Sequence, residues 1–267
     1  MRSPSVCVAA LAALLVAAVV ALACGDSGAR VTTAGLLPPE GTGGTYLALG
    51  DSIAAGQGAS DASSSYVALV AGALRERFGP ELEARSLAVG GHTTQDVIDQ
   101  QLTAALDALR DGDVRLVTIT IAGNDLYQYS ADAPCLTDPS DPACPLRDGL
   151  VGVEERLDLI LGQLREAGPE TAIVIQAYPN LFSGTGHDFE RPAEIAFGLL
   201  NEVIIRVAGR HDVLVADPRL SFAGLGGSLT HTLDPTPDFH PNDAGHRAIA
   251  DAFLEVLGLP PAQRRGE

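Results

Sequence analysis

Hydrophobic and polar residues follow two different patterns along this chain, and the two patterns take turns. Short, mostly apolar runs are typical of strands that are buried on both faces of a parallel sheet. Between these runs, apolar residues recur every three or four positions, as on the inner face of a helix. The predicted strands are Thr45–Leu49, Ala84–Val89, Val114–Ala122, Ala172–Ala177 and Val213–Ala216.

Strand-length runs joined by helix-length segments predict an α/β fold with a doubly wound parallel sheet. Packing of the apolar helix faces onto this sheet is sufficient to explain their stripes, including the stripe that runs through Val97, Gln101 and Leu109. In sheets of this kind, ligands bind beyond the carboxyl ends of the strands. Reactive side chains are therefore expected at those ends.

Residues 1–24 differ from the rest and predict an export signal. One arginine precedes an apolar run from Val6 to Ala23, and Cys24 ends that run. The run is longer than a typical signal core of about 7–15 residues and close to the roughly 20 that span a bilayer. It resembles a bacterial lipoprotein signal with Cys24 lipidated, although Ala21 stands where that pattern prefers Leu. A secretory signal and an uncleaved anchor are the alternatives, and all three predict an extracytoplasmic protein.

The mature chain is predicted to be a tether followed by one domain. Residues 25–44 are rich in Gly, Ser, Thr and Pro without apolar periodicity, which is typical of a flexible linker. Residues 45–267 have the size of a single domain. Cys135 and Cys144 lie in a proline-rich stretch of it, and in an oxidising compartment two nearby loop cysteines predict a disulfide. The stretch has too few ligands for a metal site.

Composition excludes several classes of function. The 267 residues include 34 acidic and 17 basic ones, for a formal net charge of −17, and every basic residue is arginine. Nucleic-acid binding is disfavoured, because phosphate contacts require clustered positive charge. Base stacking requires aromatic side chains, which make up only 4% of the chain and include no Trp. The absence of lysine rules out a Schiff-base lysine and a P-loop lysine.

Residues suited to nucleophilic catalysis follow the predicted strands. Ser52 comes shortly after the first strand, Gly91 after the second and Asn124 after the third, while His240 precedes the C-terminal helix. A histidine that removes the proton of a serine hydroxyl turns it into a nucleophile. Fixed N–H donors then stabilise the oxyanion, and the backbone amides of Ser52 and Gly91 and the Asn124 side chain are candidates for this role.

From Thr45 to the C-terminal helix, the chain resembles the SGNH hydrolases, the GDSL group of esterases and lipases. The resemblance implies a flavodoxin-like, three-layer fold and hydrolysis of esters or thioesters without a cofactor or metal. It also implies that Ser52 is the nucleophile, that His240 is the general base, and that residues 45–267 form the hydrolase domain. The matching blocks are Gly50-Asp51-Ser52, Gly91, Gly123-Asn124-Asp125, and His240-Pro241-Asn242 with Gly245-His246.

The acid that orients the histidine departs from the family pattern. An aspartate usually stands three residues before the histidine, but here that residue is Pro237. Asp238 is the predicted third member of the triad, and a backbone carbonyl or Asp234 are the alternatives. The displaced acid also raises a competing prediction, in which the chain is a surface binding lipoprotein on an inactive hydrolase fold.

The expected substrate is a small-molecule or lipid ester. The protein is also expected to attach to a membrane through its N-terminal lipid or anchor. The blocks do not distinguish carboxylic esters from O-acetylated carbohydrates or acyl-thioesters. Leu126–Asp148 and Asn180–Arg191 are lid candidates, because they are long segments between predicted elements. Their aromatic residues are candidates to line an acyl pocket, although loop packing explains them more simply. They are Tyr127, Tyr129, Phe182 and Phe189.

Overall fold

The computed structural model describes residues 37, 41, 43–127, 145–236 and 238–262. All of these residues belong to one unit, Thr33–Glu267. The predicted signal and most of the predicted tether lie outside the described residues, and so do Cys24, Cys135 and Cys144. The lipidated cysteine and the disulfide therefore stay predictions.

Five parallel strands form the central sheet, in the order β2-β1-β3-β4-β5. Every pair of neighbouring strands in this sheet is parallel, which confirms the predicted α/β class and the mostly parallel sheet. The three interior strands, β1, β3 and β4, are mostly buried. The strands are β1 (Thr45–Gly50), β2 (Glu83–Ser86), β3 (Val114–Thr120), β4 (Ala172–Gln176) and β5 (Leu214–Ala216).

Helices cover the sheet in two groups. The first pairs α1 with α8, and in the second α4 contacts both α2 and α5, as expected for a doubly wound sheet. Within the described part of the chain, no helix combines the length and apolar character needed to cross a bilayer. The helices are α1 (Tyr66–Phe78), α2 (Leu102–Asp111), α3 (Gly123–Tyr127), α4 (Pro145–Ala167), α5 (Glu190–Arg210), α6 (Arg219–Phe222), α7 (Gly226–Leu229) and α8 (Asp243–Val256).

A short antiparallel hairpin outside the main sheet carries the C-terminal candidate residues. Its strands are β6 (Thr230–His231) and β7 (Asp238–Pro241), where the sequence analysis expected only a loop. Strands of two and four residues are too short to show a clear alternating pattern, so neither was predicted. Immediately after β7, the Asn242 side chain accepts hydrogen bonds from the first amides of α8 and thereby fixes the start of that helix.

Candidate active site

The end of β1 presents Ser52 in a tight, buried turn. Gly50 has a φ of 134°, and a Cβ at this position would lie 1.9 Å from the carbonyl oxygen of Thr120. Only glycine permits so close an approach of β1 to β3. Beyond it, the Asp51 carboxylate accepts the Ile53 N–H at 2.9 Å, and the Ala55 N–H bonds the Asp51 carbonyl at 2.9 Å. These bonds hold Ser52 near the start of this turn, which spans residues 51–58 and is called the nucleophile turn.

Ser52, His240 and Asp238 form a continuous chain of hydrogen bonds. The His240 Nε2 atom lies 2.8 Å from the Ser52 hydroxyl, and Nδ1 lies 2.5 Å from an Asp238 oxygen. That oxygen also accepts the His240 backbone N–H at 3.0 Å. Partial burial acts to raise the pKa of Asp238, but these bonds from His240 outweigh it and lower the pKa below its ordinary value. An ionised Asp238 favours a proton on Nδ1 and leaves Nε2 to accept the serine proton.

The alternative acid, Asp234, contacts a different histidine. Its carboxylate lies 2.6 Å from Nδ1 of His231, and Nε2 of His231 lies 2.8 Å from the carbonyl oxygen of Gly58. The displaced position of Asp238, two residues before His240, therefore does not prevent it from reaching the ring. Asp238 and His240 both lie in β7. Residues two apart in a strand project from the same face, so the Asp238 carboxylate can reach the His240 ring.

The candidate oxyanion residues lie beside the nucleophile turn. After β2 the chain continues along β1, since Val89 donates a hydrogen bond to the Gly50 carbonyl at 3.1 Å. It then turns at Gly91, whose φ of 81° favours glycine. The Asn124 side-chain amide donates to the His92 carbonyl at 2.9 Å. Asn124 and the Gly91 turn thus meet at the edge of the sheet that carries Ser52.

Asp125 has a structural role beside the oxyanion residues. Its carboxylate accepts the Thr94 N–H at 2.9 Å, the Thr94 hydroxyl at 2.6 Å and Arg156 Nη2 at 3.0 Å. Arg156 Nε also donates to the Thr94 hydroxyl oxygen at 2.6 Å. This network fastens the oxyanion turn to α3 and α4. No local signal in the sequence marks Arg156 for this role.

Gln101 does not have the core-packing role that its place in an apolar stripe predicted. Its side chain bonds both polar atoms of Gly50, accepting from N at 2.9 Å and donating to O at 2.8 Å, and Nε2 lies 2.9 Å from His92 Nδ1. The residue ends a π-helical segment, Val97–Gln101, of the kind that often occurs at functional sites. A polar residue inside an apolar stripe was the available signal.

An apolar cleft of about 370 Å³ opens beside Ser52. Tyr127, Phe182 and Phe189 line it, as the acyl-pocket hypothesis expected, whereas Tyr129 lies outside the described residues. Phe182 is the centre of an aromatic wall, with ring centroids 6.1 Å from Phe189 and 6.4 Å from Phe239.

The segment predicted as the second lid, Asn180–Arg191, forms one wall of this cleft and is held by internal hydrogen bonds. The Asn180 amide donates to the Glu190 carbonyl at 2.9 Å. The Glu190 carboxylate accepts the Gly184 N–H at 2.6 Å and the Gly186 N–H at 2.9 Å, and these bonds lower the pKa of Glu190. The segment also includes the first residues of α5. Most of the first lid candidate lies outside the described residues.

The model of the GDSL-like lipase/acylhydrolase family matches residues 48–248, a span that includes every catalytic and oxyanion candidate. This chain belongs to that family. It is therefore a hydrolase of ester bonds, and the resemblance inferred from the sequence blocks is confirmed. No curated protein matches the chain. In the described ranges, no group of His, Cys, Asp or Glu is arranged to hold a metal ion.

Solved structures of lipases and esterases share the fold. The hydrolase is similar to phospholipase A1 from Streptomyces albidoflavus NA297, with 25% identity and a TM-score of 0.59 over 81% of this chain and 99% of that one. A lipase from a goat rumen metagenome is 18% identical, with a TM-score of 0.64 over 79% of this chain and 96% of that one. The acetylxylan esterase Axe2 from Geobacillus stearothermophilus is 22% identical, with a TM-score of 0.58 over 85% of this chain and 100% of that one.

Proposed function

We propose that this hydrolase is an extracytoplasmic serine esterase or lipase that cleaves carboxylic esters through an acyl-Ser52 intermediate. One observation carries the proposal: the unbroken chain from the Ser52 hydroxyl through His240 to Asp238, with separations of 2.8 and 2.5 Å. A serine hydroxyl requires a base within hydrogen-bond reach, and that base requires an orienting group. Both requirements are met by these three residues.

In the proposed reaction, Nε2 of His240 takes the proton of Ser52 as Oγ attacks the ester carbonyl carbon. The N–H groups of Ser52 and Gly91 and the Asn124 amide hold the oxyanion. An amide nitrogen carries two hydrogens, so Asn124 can bond the His92 carbonyl with one and the oxyanion with the other. Collapse of the tetrahedral species releases the alcohol, which takes the proton from His240. Water, deprotonated by His240, then attacks the acyl carbon. Collapse of this second tetrahedral species releases the acid as Ser52 Oγ takes the proton back from His240.

The cleft supports a substrate with an apolar acyl chain. Apart from Asp51, Asp238 and His187, the described residues that line it have no ionisable carboxylate, imidazole or cationic group, and most are aliphatic or aromatic. Such a surface stabilises hydrocarbon by removing it from water, whereas a sugar ring needs hydrogen-bonding partners. A carboxylic ester with a hydrocarbon acyl group is therefore preferred over an O-acetylated carbohydrate.

The catalytic test compares the wild-type enzyme with Ser52→Ala on p-nitrophenyl esters from acetate to palmitate. We expect turnover by the wild type to peak at an acyl chain longer than acetate and to disappear in the variant, with an unchanged circular dichroism spectrum. A fluorophosphonate probe should label the wild type and not the variant. Undiminished turnover by Ser52→Ala would contradict the mechanism, and an unlabelled, inactive wild type would favour the binding-protein alternative.

The extracytoplasmic location rests on the apolar run that ends at Cys24. Mass spectrometry of the protein from its native membrane fraction should find an N-terminal, lipid-modified Cys24. An unmodified N-terminus after residue 24 would indicate secretion instead. Recovery of an intact Met1 would contradict both cleaved forms and indicate an anchor.

A further inference from the structure

A buried carboxylate lies directly beside the nucleophile. Asp51 is only 2% exposed, and one of its oxygens caps the nucleophile turn by accepting the Ile53 N–H. The other oxygen accepts a hydrogen bond from the Tyr178 hydroxyl. Burial raises the pKa of Asp51 to about 6, against the opposing effect of the Tyr178 and backbone hydrogen bonds. The turn that presents Ser52 thus depends on a buried carboxylate to which Tyr178 supplies the hydrogen bond from outside the turn.

Tyr178 is itself held from several sides. Its backbone N–H donates to Asn201 Oδ1 at 2.7 Å, and its carbonyl accepts from Asn201 Nδ2 at 2.8 Å. Its ring stacks on Phe197, with centroids 5.6 Å apart and planes 8° from parallel. Both partners belong to α5, so this helix fixes where the Tyr178 hydroxyl points.

The same hydroxyl lies against the start of α3, which carries Asn124. A Cβ at Gly123 would lie 2.8 Å from the Tyr178 ring and 3.2 Å from its hydroxyl oxygen, so only glycine fits there. Ala122, one residue earlier, adopts a φ of 94°, which L-residues rarely adopt. Tyr178 therefore contacts both the nucleophile turn and the segment that leads to the oxyanion asparagine.

We propose that Tyr178 is a positioning residue of this hydrolase, whose hydroxyl keeps the Ser52 turn and the Asn124 segment in register through the Asp51 carboxylate. The inference rests on the proposed serine mechanism. Catalysis requires the nucleophile and the oxyanion donors to hold a fixed mutual geometry, and small displacements are costly. The Tyr178 ring lines the cleft, but its hydroxyl bonds the Asp51 carboxylate. Loss of the hydroxyl alone should therefore change the rate of the chemical step rather than substrate binding.

The main test is Tyr178→Phe, which removes the hydroxyl and keeps the stacked ring. With rates normalised to active sites titrated by a fluorophosphonate, we expect kcat to fall about 10- to 100-fold while KM stays within about twofold. Normalisation separates this effect from partial unfolding, which lowers the number of titratable sites and not the rate at each. An unchanged kcat per titrated site, in an active wild type, would overturn the inference and leave the serine mechanism intact.

Tyr46→Phe is the matched control. Tyr46 is fully buried on the same sheet, and its hydroxyl bonds the Thr118 hydroxyl at 2.8 Å, away from the cleft. We expect this variant to lose stability and keep its kcat per titrated site. An equal loss of kcat in both variants would reduce the Tyr178 effect to the general cost of deleting a buried hydroxyl and would contradict the inference.

The pH profile provides a second readout. The titratable groups that act on Asp51 are Tyr178, Tyr66 and Asp125. Loss of the Tyr178 donor makes the Asp51 carboxylate less stable, so its pKa rises and the acid limb of kcat should move to higher pH. The limb should stay in place in Tyr46→Phe. A limb that does not move in Tyr178→Phe would contradict the link through Asp51.

Asp51→Asn keeps the test decisive if Tyr178→Phe does not fold. The amide retains an oxygen for the Ile53 N–H and loses the charge that faces Tyr178. We expect a similar fall in kcat per titrated site. Where Tyr178→Phe does fold, the double variant should be no slower than the slower single variant, because both substitutions remove the same link. Full multiplication of the two effects, or an Asp51→Asn enzyme as fast as the wild type, would overturn the inference.

Discussion

Two histidine–aspartate pairs lie within one short hairpin, and they have nearly the same geometry. In β7, His240 Nδ1 is 2.5 Å from Asp238, and at β6, His231 Nδ1 is 2.6 Å from Asp234. The difference lies at the other ring nitrogen. Nε2 of His240 faces the Ser52 hydroxyl at 2.8 Å, whereas Nε2 of His231 faces the Gly58 carbonyl oxygen at the same distance.

That one partner atom decides the chemistry of each ring. The Ser52 hydroxyl can donate a hydrogen bond, so Nε2 of His240 can accept it without carrying a hydrogen of its own. A carbonyl oxygen only accepts, so His231 satisfies both of its partners only when both nitrogens carry hydrogen. Bonds from Gly58 and Asp234 accordingly raise the pKa of His231. An aspartate beside a histidine therefore does not by itself identify a candidate catalytic base. The partner of the other ring nitrogen distinguishes the two pairs.

The His231 pair nevertheless supports the site. A Cβ at Gly58 would lie 2.3 Å from the Pro241 carbonyl oxygen and 2.9 Å from His240 Cβ, so the Gly58 backbone packs directly against β7. By bonding the Gly58 carbonyl, His231 holds the end of the nucleophile turn against the strand that carries the proposed base. We therefore expect His231 to contribute to the stability of the fold around the site and not to proton transfer.

His240→Gln should have the largest effect on this comparison. Glutamine keeps a polar side chain but cannot accept and return the serine proton, so we expect kcat/KM to fall by about 10⁴-fold or more. Stopped assays on a short p-nitrophenyl ester and the rate of fluorophosphonate labelling both measure the loss.

The same substitution in the other pair, His231→Gln, is the control. It should leave kcat/KM near the wild-type value at 25 °C, because the Ser52, His240 and Asp238 side chains are untouched. Comparable losses in the two variants would erase the distinction between the pairs.

Asp238→Asn should have the next largest effect. An amide at this position no longer favours the proton on Nδ1 of His240, so the ring loses the tautomer that accepts from Ser52. Because 41% of the Asp238 side chain is exposed, water can replace part of its orienting effect, and we expect kcat to fall about 10²- to 10³-fold. Steady-state kinetics with Asp234→Asn as the control measure this, and a larger loss in the control would assign the orienting role to Asp234.

The sequence predicted those parts of the site that follow from local pattern and topology. Ser52 and Asn124 directly follow apolar runs that become β1 and β3, and parallel strands bring their carboxyl ends to one edge. The runs were recognisable because strands buried on both faces are continuously apolar. The hairpin that carries His240 lacks such a run, so its strands were missed although the residue was identified.

The supporting residues could not be predicted, because each acts across a long separation in sequence. Gln101 bonds Gly50 from 51 positions away, Tyr178 bonds Asp51 from 127 and His231 bonds Gly58 from 173. No spacing rule connects residues so far apart, and each side chain fits an ordinary local role when considered alone. Their functions exist only once the sheet has set the strand ends side by side.

The smallest expected effect concerns stability, and it separates the two pairs by pH. The folded-state pKa of His231 is raised, so the stabilisation it provides is complete below the unfolded value of about 6.5 and is lost as pH rises through the folded value. Exposed pairs contribute about 1 kcal/mol or less, which corresponds to roughly 2–4 °C in Tm for a domain of this size. The Tm difference between wild type and His231→Gln should therefore be largest at about pH 6 and should shrink by pH 9. Thermal unfolding followed by circular dichroism measures it, and a difference that is equal at both pH values would mean that His231 does not act as a titrating cation.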